Sequence, residues 1–257
     1  NAAAGRSEWV EVDAETASLL DFAGSLHALS DGLFDITSGV LRRAWDFRAG
    51  RVPEAAQLHA LLPLIGWPQV EWSRVNAPDR RIRLPRAGME LDFGGFGKEY
   101  AADRAMATLA VAGLRHGFVN LGGDIRVLGA RSDGGAWRFG IQHPRNAEGT
   151  VASVDMTEGA LASSGDYERF FELDGRRYCH ILDPRTGWPV SSWASVSVTA
   201  PACVAAGALS TIAMLKGGEA LAFLATQGAT YLAVDTALRT FHSELPAAQP
   251  FFSGEHE

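Results

Sequence analysis

The sequence predicts an α+β fold, in which antiparallel sheets and flanking helices form a single domain. Helical periodicity and strand alternation occur in mixed order along the 257 residues, and no linker, repeat or low-complexity tract divides them. Short strand patterns dominate the middle of the chain, where Asp174-Gly175 is a strong two-residue hairpin signal. Hydrophobic residues make up 47% of the chain, enough for a well-buried core. We therefore expect one domain over residues 1–257.

The first part of the chain predicts helices and a hairpin. Asp13 is a good N-cap for a helix in which apolar residues recur at helical spacing as far as Gly32. A second helix is expected from Thr37 and a third from Pro53 to Leu62. The segments "VEWSRV" and "RIRLP" then predict a hairpin around residues 76–79.

The remainder predicts a long helix, a series of short strands and two further helices. The long helix, "GGFGKEYAADRAMATLAVAGL", is expected to bury an apolar face made of Tyr100, Ala101, Met106, Leu109 and Ala112. Short strands run from "GFVNLGGDIRVLG" to "ASVSVTA". Helices at about 202–215 and 219–227 and a terminal hairpin at 230–241 complete the prediction.

Charge and cysteine content exclude several classes of protein. The formal net charge is -7, and the absence of a Lys/Arg stripe argues against a nucleic-acid partner. Cys179 and Cys203 make neither a disulfide scaffold nor a CxxC metal site, and we interpret them as small half-buried hydrophobes. The longest uncharged apolar stretch, Ala200–Leu215, is too short to span a bilayer.

A glycine-rich segment before the long helix predicts an anion site. In "GGFGK", the glycines let backbone N–H groups converge, the helix N-terminus adds partial positive charge and Lys98 adds a full one. Phosphate is the expected anion. The segment matches neither GxGxxG nor GxxxxGK[ST], so those two nucleotide-binding folds are not supported.

The other polar motifs are ambiguous when taken singly. Asp103 and Asp166 are of a type that more often caps or is solvated, and Gly-Gly-Asp at 122–124 is more typical of a bend than of a ligand site. His180 and Asp183 lie in "RRYCHILDPRTGWPV", where an apolar run ends in a turn. This segment is either an ordinary hairpin end or a strand that delivers both side chains to a site.

Five motifs together, in this order and spacing, resemble those of the ApbE-type FAD:protein FMN transferases. The resemblance covers the chain from about Ser30 to Gly217. The motifs are "G-x-F-D-x-T" at Gly32–Thr37, "L-D-x-G-x-x-x-K/E-x-Y-A-x-D" at Leu91–Asp103, "N-x-G-G-D" at Asn120–Asp124, "S-G-D-Y/x-x-R-x-F" at Ser164–Phe171 and "H-x-x-D-P-x-T-G-x-P" at His180–Pro189.

This resemblance implies an ApbE-like fold with FAD as substrate and a divalent cation, usually magnesium. The family attaches the FMN half of FAD, through phosphate, to a threonine of a target protein, and some members instead hydrolyse FAD to FMN and AMP. Cleaving a pyrophosphate requires neutralised phosphoryl oxygens and a base for the attacking hydroxyl, which suit a cation and a histidine. Most members act outside the cytoplasm, as periplasmic or membrane-anchored proteins, and the same localisation is expected here.

The resemblance also assigns residues to roles. His180 is the expected general base, or the group that orients the acceptor hydroxyl. Asp183 is the second expected catalytic residue. The expected metal ligands are the carbonyl of Gly95 and the hydroxyls of Ser210 and Thr211. FAD contacts are expected at Leu33, Phe34, Asp35, Asp92, Lys98 and Leu182, and the segments that carry these residues should converge.

Two departures from the family pattern bear on activity. The family has an N-terminal strand and a helix that ends in an asparagine, and this chain is expected to begin at that residue, Asn1, and so to lack both elements. In the last family motif, "A-D-A-x-[SD]-T", Gly207 occupies the position of the aspartate ligand. Because 207 and 211 lie one helical turn apart, Asp and Thr there would reach one cation. Neutral hydroxyls alone make a poor magnesium site, so we expect weak metal binding.

Three hypotheses for the function remain open at this point. The chain is an active FMN transferase, a weakened or inactive FAD-binding relative, or an FAD pyrophosphatase that uses water as acceptor. The motifs do not separate transfer from hydrolysis, because the acceptor depends on access to the site.

Overall fold

The computed structural model describes residues 1–73 and 76–243 and the backbone of 252–253. The chain forms two compact units. The first unit comprises Asn1–Phe93 and Phe171–Pro189, and the second comprises Gly94–Phe170 and Val190–Glu257. The strands pair antiparallel and are accompanied by helices, which confirms the predicted α+β class.

The helices and strands follow one another in the predicted mixed order. They are β1 (Val10–Glu11), α1 (Ala14–Leu29), α2 (Ala55–Leu61), β2 (Glu71–Trp72), β3 (Arg81–Arg83), α3 (Gly97–Val111), β4 (Gly117–Leu121), β5 (Asp124–Leu128), β6 (Trp137–His143), β7 (Asn146–Met156), β8 (Gly159–Gly165), β9 (Phe170–Leu173), β10 (Arg176–Cys179), β11 (Trp193–Ala200), α4 (Cys203–Lys216), α5 (Ala220–Thr226), β12 (Thr230–Asp235), β13 (Thr240–His242) and β14 (Phe252–Ser253). Short 3₁₀ segments lie at Ile36–Arg43, Leu62–Leu64, Trp67–Gln69 and Gly217–Glu219.

Short-range sequence signals account for the first helices and strands of the first unit. The side chain of Asp13 accepts a hydrogen bond from the backbone N–H of Thr16 at 2.6 Å, which confirms it as the N-cap of α1. β2 and β3 form the predicted hairpin, and β1 pairs with β3. The predicted helix from Thr37 is instead a 3₁₀ segment that begins at Ile36. The Ser-Gly pair that follows Thr37 has low helix propensity, which is consistent with this short form.

An aromatic cluster forms the centre of the first unit. Trp45 is 3% exposed and contacts the rings of Phe47, Phe171, Tyr178 and Trp188. Two of these rings come from the β9–β10 hairpin, whose turn residues, Asp174-Gly175, have φ angles of 51° and 73°. Positive φ at both positions is typical of the two-residue turn that the sequence predicts.

The second unit is built on a six-stranded antiparallel sheet of order β13-β12-β11-β8-β5-β4. Helices α3 and α4 pack on this sheet and on each other. Strands β6 and β7 pair separately and share an apolar cluster with the six-stranded sheet. The buried members of that cluster are Ile125, Val127, Phe139, Ile141, Ala152, Val154, Met156, Leu161 and Leu232.

Most of the apolar face predicted for α3 is wrong, although Met106 is buried as predicted. The buried residues are Glu99, Ala102 and Met106, whereas Leu109 is 42% exposed. The spacing of these three residues is helical, but the first of them is a carboxylic acid, so a search for apolar residues passes over this face.

The helical chain from Cys203 to Thr226 is 24 residues long, with a mean hydropathy of 1.3 in its most apolar window. By length and composition alone it is apolar enough to cross a membrane, because α4 and α5 extend well beyond the Ala200–Leu215 stretch. Half of that window is buried, and α4 packs on β8 and β11. We therefore interpret this segment as the core helix of the second unit. Cys179 and Cys203 are fully buried, rather than half-buried as the sequence predicts.

Trp45→Ala should lower the free energy of unfolding by about 3–5 kcal/mol, because it leaves a cavity in the aromatic cluster. Trp45→Phe is the matched control. It keeps a ring but loses the hydrogen bond that the indole Nε1 donates to the carbonyl of Gly187 at 2.8 Å, which costs about 1 kcal/mol. Urea unfolding measures both values, and an equal loss for the two variants would contradict the central role of the cluster.

Candidate active site

The first family motif organises a buried turn in the first unit. Asp35 is 7% exposed, and its Oδ1 accepts hydrogen bonds from the backbone N–H and the hydroxyl of Thr37 at 2.8 and 2.6 Å. Its Oδ2 accepts from the backbone N–H of Trp67 at 2.8 Å. The preceding residues, Leu33 and Phe34, are also buried. The carboxylate of Asp35 therefore caps the 3₁₀ segment and fastens it to the Trp67 turn.

The segment at Leu91 and Asp92 lies against the same 3₁₀ segment. The backbone N–H of Asp92 donates to the carbonyl of Ile36 at 2.8 Å, and an added Cβ at Gly39 would lie 2.6 Å from the Cβ of Asp92. The side-chain amide of Asn1 pairs with both backbone groups of Leu91, at 2.8 and 3.1 Å. Unlike Asp35, Asp92 is partly exposed, and Arg42 pairs with its carboxylate.

The fifth motif is a tight turn that follows β10. His180 comes directly after the strand, and Leu182 forms an isolated bridge with Pro189. Asp183 accepts hydrogen bonds from the backbone N–H and the guanidinium of Arg185, at 2.8–3.1 Å. Burial opposes ionisation of Asp183, but these hydrogen bonds and the Arg185 charge outweigh it and hold the pKa of the carboxyl below its usual range. The turn therefore carries a charged, hydrogen-bonded aspartate close in sequence to His180.

The glycine-rich segment in the second unit leads into α3, as the sequence predicts. The helix begins at Gly97, and Phe96, at the N-cap, has no side-chain group that accepts a hydrogen bond. Lys98 Nζ lies 2.8 Å from Asp124 Oδ2. Partial burial lowers the pKa of Lys98, but the hydrogen bond and charge of Asp124 outweigh it, so the net pKa is raised. Lys98 is therefore a fixed cation at the start of a helix.

The third motif forms the turn that presents Asp124. Gly122 and Gly123 have φ angles of 60° and 94°, and the side chain of Asn120 accepts a hydrogen bond from the backbone N–H of Gly123 at 2.8 Å. Glycine suits these two positions because side chains disfavour positive φ. The turn joins β4 to β5, and Asp124 is 1% exposed beyond it.

Asp103 joins helices α3 and α4. Its two carboxylate oxygens each accept one hydrogen bond, from the backbone N–H groups of Cys203 and Val204, both at 2.9 Å. Four residues earlier on α3, Glu99 lies against Gly207, which is four residues after Cys203 on α4. The two helices therefore run antiparallel here. Asp103 caps the start of α4 at one contact, and Glu99 meets Gly207 one helical turn further along.

Glu99 is a buried acid that the sequence predictions did not select. It is 8% exposed, and burial, followed by the hydrogen bond and charge of Asp124, raises its pKa to about 8. A Cβ at Gly207 would lie 2.5 Å from Glu99 Cγ. The signal available in the sequence was a charged residue at helical spacing from Ala102 and Met106, a pattern that also fits a solvated helix start.

Three hydroxyls meet between β8 and α4. Ser164 Oγ lies 2.8 Å from Ser210 Oγ and 2.9 Å from Thr211 Oγ1. Ser210 is fully buried and also donates to the carbonyl of Gly207 at 3.0 Å. Nearby in sequence, Asp166 accepts two hydrogen bonds from the guanidinium of Arg145, at 2.6 and 2.8 Å.

Comparison with known proteins accounts for these motifs together. The model of the ApbE family matches residues 1–233. The chain belongs to the ApbE family. A FAD:protein FMN transferase of Rhodobacter capsulatus is 36% identical over 224 residues, 85% of this chain and 42% of the relative. One of Treponema pallidum is 34% identical over 234 residues, 85% of this chain and 64% of the relative. The chain thus spans less than two thirds of the length of these curated relatives.

Solved ApbE structures share the fold. The crystal structure of the ApbE protein from Thermotoga maritima has a TM-score of 0.85 at 35% identity, over 93% of this chain and 78% of that one. The flavin transferase ApbE from Vibrio cholerae has a TM-score of 0.81 at 27% identity, over 94% of this chain and 78% of that one. These values confirm the ApbE-like fold that the sequence predicts.

Within this ApbE chain, the predicted residues fall into two groups. Leu33, Phe34, Asp35, Asp92, His180, Leu182 and Asp183 belong to the first unit, and Gly95, Lys98, Ser210 and Thr211 to the second. Their convergence on FAD stays a prediction, as do their individual roles. Among the described residues, no three His, Cys, Asp or Glu side chains cluster in a way that would hold a metal ion.

Asp35→Ala should destabilise the protein by about 2–4 kcal/mol, since each buried donor left without an acceptor costs about 1–3 kcal/mol. Asp92→Ala is the matched control, because both aspartates are expected FAD contacts. It keeps the Cβ beside Gly39 and removes a partly exposed ion pair with Arg42, which costs about 0–1 kcal/mol. Thermal and urea unfolding without FAD measure both values, and equal stability of the two variants would contradict this assignment.

Proposed function

We propose that this chain is a FAD:protein FMN transferase, which moves FMN from FAD onto a threonine hydroxyl of a target protein. The main support for this proposal is that the five ApbE motifs occur in one chain whose curated relatives are named FAD:protein FMN transferases. The charged and glycine-rich elements of these motifs suit a phosphate-rich substrate. The start of α3, with Lys98, offers backbone N–H groups and a cation to an anionic ligand.

The proposed reaction is a phosphoryl-group substitution. The threonine oxygen forms a bond to the phosphorus of the FMN half, and the bond from that phosphorus to the bridging oxygen breaks, so that AMP leaves with the electron pair. The hydroxyl proton passes to a base, for which we propose His180. The ordered Asp183 turn holds the backbone close to that histidine.

A divalent cation, most simply magnesium, is part of the proposal. When bound, it would neutralise charge on the phosphoryl oxygens. The carbonyl of Gly95 and the hydroxyl of Thr211 are the neutral oxygen donors proposed to hold it, and both fit the hard-oxygen preference of magnesium. The hydroxyl of Ser210 is fully buried and donates to the carbonyl of Gly207, so we place it in support of Thr211. The buried carboxyl of Glu99 lies beside Gly207, on the helix that carries Thr211, and adds an acidic oxygen donor to this region.

The localisation proposed is outside the cytoplasm, in the periplasm or on a membrane anchor. Its support is the resemblance to ApbE-type transferases alone. Hydrolysis of FAD to FMN and AMP remains the second candidate chemistry, because water and a threonine hydroxyl enter the same substitution as nucleophiles.

Incubation of the protein with FAD, magnesium and a threonine-containing acceptor should add one FMN to the acceptor, detected by intact mass spectrometry. Replacing the acceptor threonine by valine, which is similar in shape but lacks the hydroxyl, should abolish the adduct. Release of FMN and AMP without an adduct would instead identify a pyrophosphatase. Recovery of intact FAD would contradict both activities.

His180→Ala should reduce the rate of FMN transfer by roughly a hundredfold or more, the contribution typical of a positioned general base. His59→Ala, on the exposed face of α2, is the matched control and should leave the rate unchanged. FAD affinity, followed by flavin fluorescence, should be retained in both variants. A His180→Ala rate equal to that of the unaltered protein would reject the role as base.

A further inference from the structure

A carboxylate fills the space beside Gly207. The side chain of Glu99 projects from the first turn of α3 towards α4 and is 8% exposed. A Cβ at residue 207 would lie 2.5 Å from Glu99 Cγ and 2.9 Å from both its Cδ and its Oε1. These separations are well inside the roughly 3.5–4.0 Å at which non-bonded atoms pack. The Glu99 carboxyl therefore occupies the volume into which an aspartate at 207 would project.

This carboxyl has an oxygen without a donor. Glu99 Oε2 is buried and accepts no hydrogen bond from the residues that the structure describes. The adjacent charged groups are Asp124, itself 1% exposed, and Lys98, which pairs with Asp124 at 2.8 Å. If both buried carboxyls were ionised, the single ammonium would leave one negative charge without a partner, which is costly in a buried environment. A bound proton or a bound cation would compensate that charge.

Neutral oxygen donors lie on the neighbouring turn of α4. Thr211 follows Gly207 by one helical turn on the same face, and its hydroxyl lies 2.9 Å from Ser164 Oγ. A carboxylate together with hydroxyl and carbonyl oxygens is a donor set that Mg²⁺ and Mn²⁺ accept. The donor types thus match a cation site whose acid comes from α3, in the volume that an aspartate at 207 would enter.

We propose that Glu99 supplies the carboxylate ligand of a divalent cation in this chain, from α3, in the place where the ApbE pattern has an aspartate on α4. The inference deepens the proposed function and rests on it, because the cation would serve the proposed transfer of FMN. It also replaces the expectation of a weak site that Gly207 alone suggests, because the acid is present but carried by the facing helix. In the alternative, Glu99 only packs between the helices and holds a proton.

Titration of the whole chain with Mn²⁺ alone, with free Mn²⁺ followed by electron paramagnetic resonance, tests the proposal. The unaltered protein should bind one Mn²⁺ that Mg²⁺ displaces. Glu99→Gln, which keeps the shape and removes the charge, should weaken Mn²⁺ binding at least about tenfold. Loss of a residue that only hydrogen-bonds to a metal ligand already weakens binding about tenfold or more. Glu158→Gln, an exposed acid before β8, is the control and should leave binding unchanged.

Exchanging the residues at positions 99 and 207 tests where the metal-binding carboxylate lies. Gly207→Asp alone crowds Glu99, and Glu99→Gly alone removes the acid, so each should bind Mn²⁺ more weakly than the unaltered protein. Glu99→Gly combined with Gly207→Asp returns a single carboxylate to the same volume and should recover binding relative to Glu99→Gly. Circular dichroism checks that each variant is folded, and Glu99→Gln decides the question if the glycine variants are not.

Lack of Mn²⁺ binding by the unaltered protein, or equal binding by Glu99→Gln, would overturn the inference. So would a double variant that is folded and binds no better than Glu99→Gly. FAD fluorescence and FMN transfer are measured in parallel. Magnesium-supported transfer that Glu99→Gln leaves unchanged would overturn the inference and leave the proposed function. Mn²⁺ binding that depends on Glu99, without FAD binding or transfer, would overturn the proposed function and leave the cation site.

Discussion

The cap that Asp103 places on α4 is the interaction on which the arrangement of the second unit depends. One carboxylate satisfies two backbone N–H groups at a helix start, at Cys203 and Val204, and also pairs with Arg126 of β5. It therefore joins α3, α4 and the sheet at one point. Because both helices have the same pitch, fixing that point also fixes the next contact along, between Glu99 and Gly207.

Many of the polar motif residues maintain local backbone geometry. Asp35 caps a 3₁₀ segment, Asn120 closes a glycine turn and Asp183 holds the turn after β10. These are short-range hydrogen bonds of the kind that Asp and Asn make readily. A rigid scaffold of this type gives precise positions to the proposed site residues, among them His180 and Lys98.

Short-range features of the fold could be predicted from the sequence, and long-range ones could not. The Asp13 cap and the Asp174-Gly175 turn depend on residues within a few positions, and both were correct. Glu99 on the buried face of α3 was missed, because its burial is set by a glycine more than a hundred positions away. For the same reason, Gly207 suggested a lost acid when considered alone. The family motifs located the candidate residues, but a motif records spacing along the chain and contains no information on which side chain fills which space.

The close approach of Glu99 and Gly207 has an evolutionary consequence. The two positions share one volume, so a substitution at either is felt at the other, and their effects should be strongly non-additive. A change from one arrangement to the other by single steps passes through a chain with two acids in that volume or with none. Relatives that carry aspartate at the position of Gly207 should therefore have a smaller or differently directed side chain at the position of Glu99. The two positions should then change together in the evolution of the family.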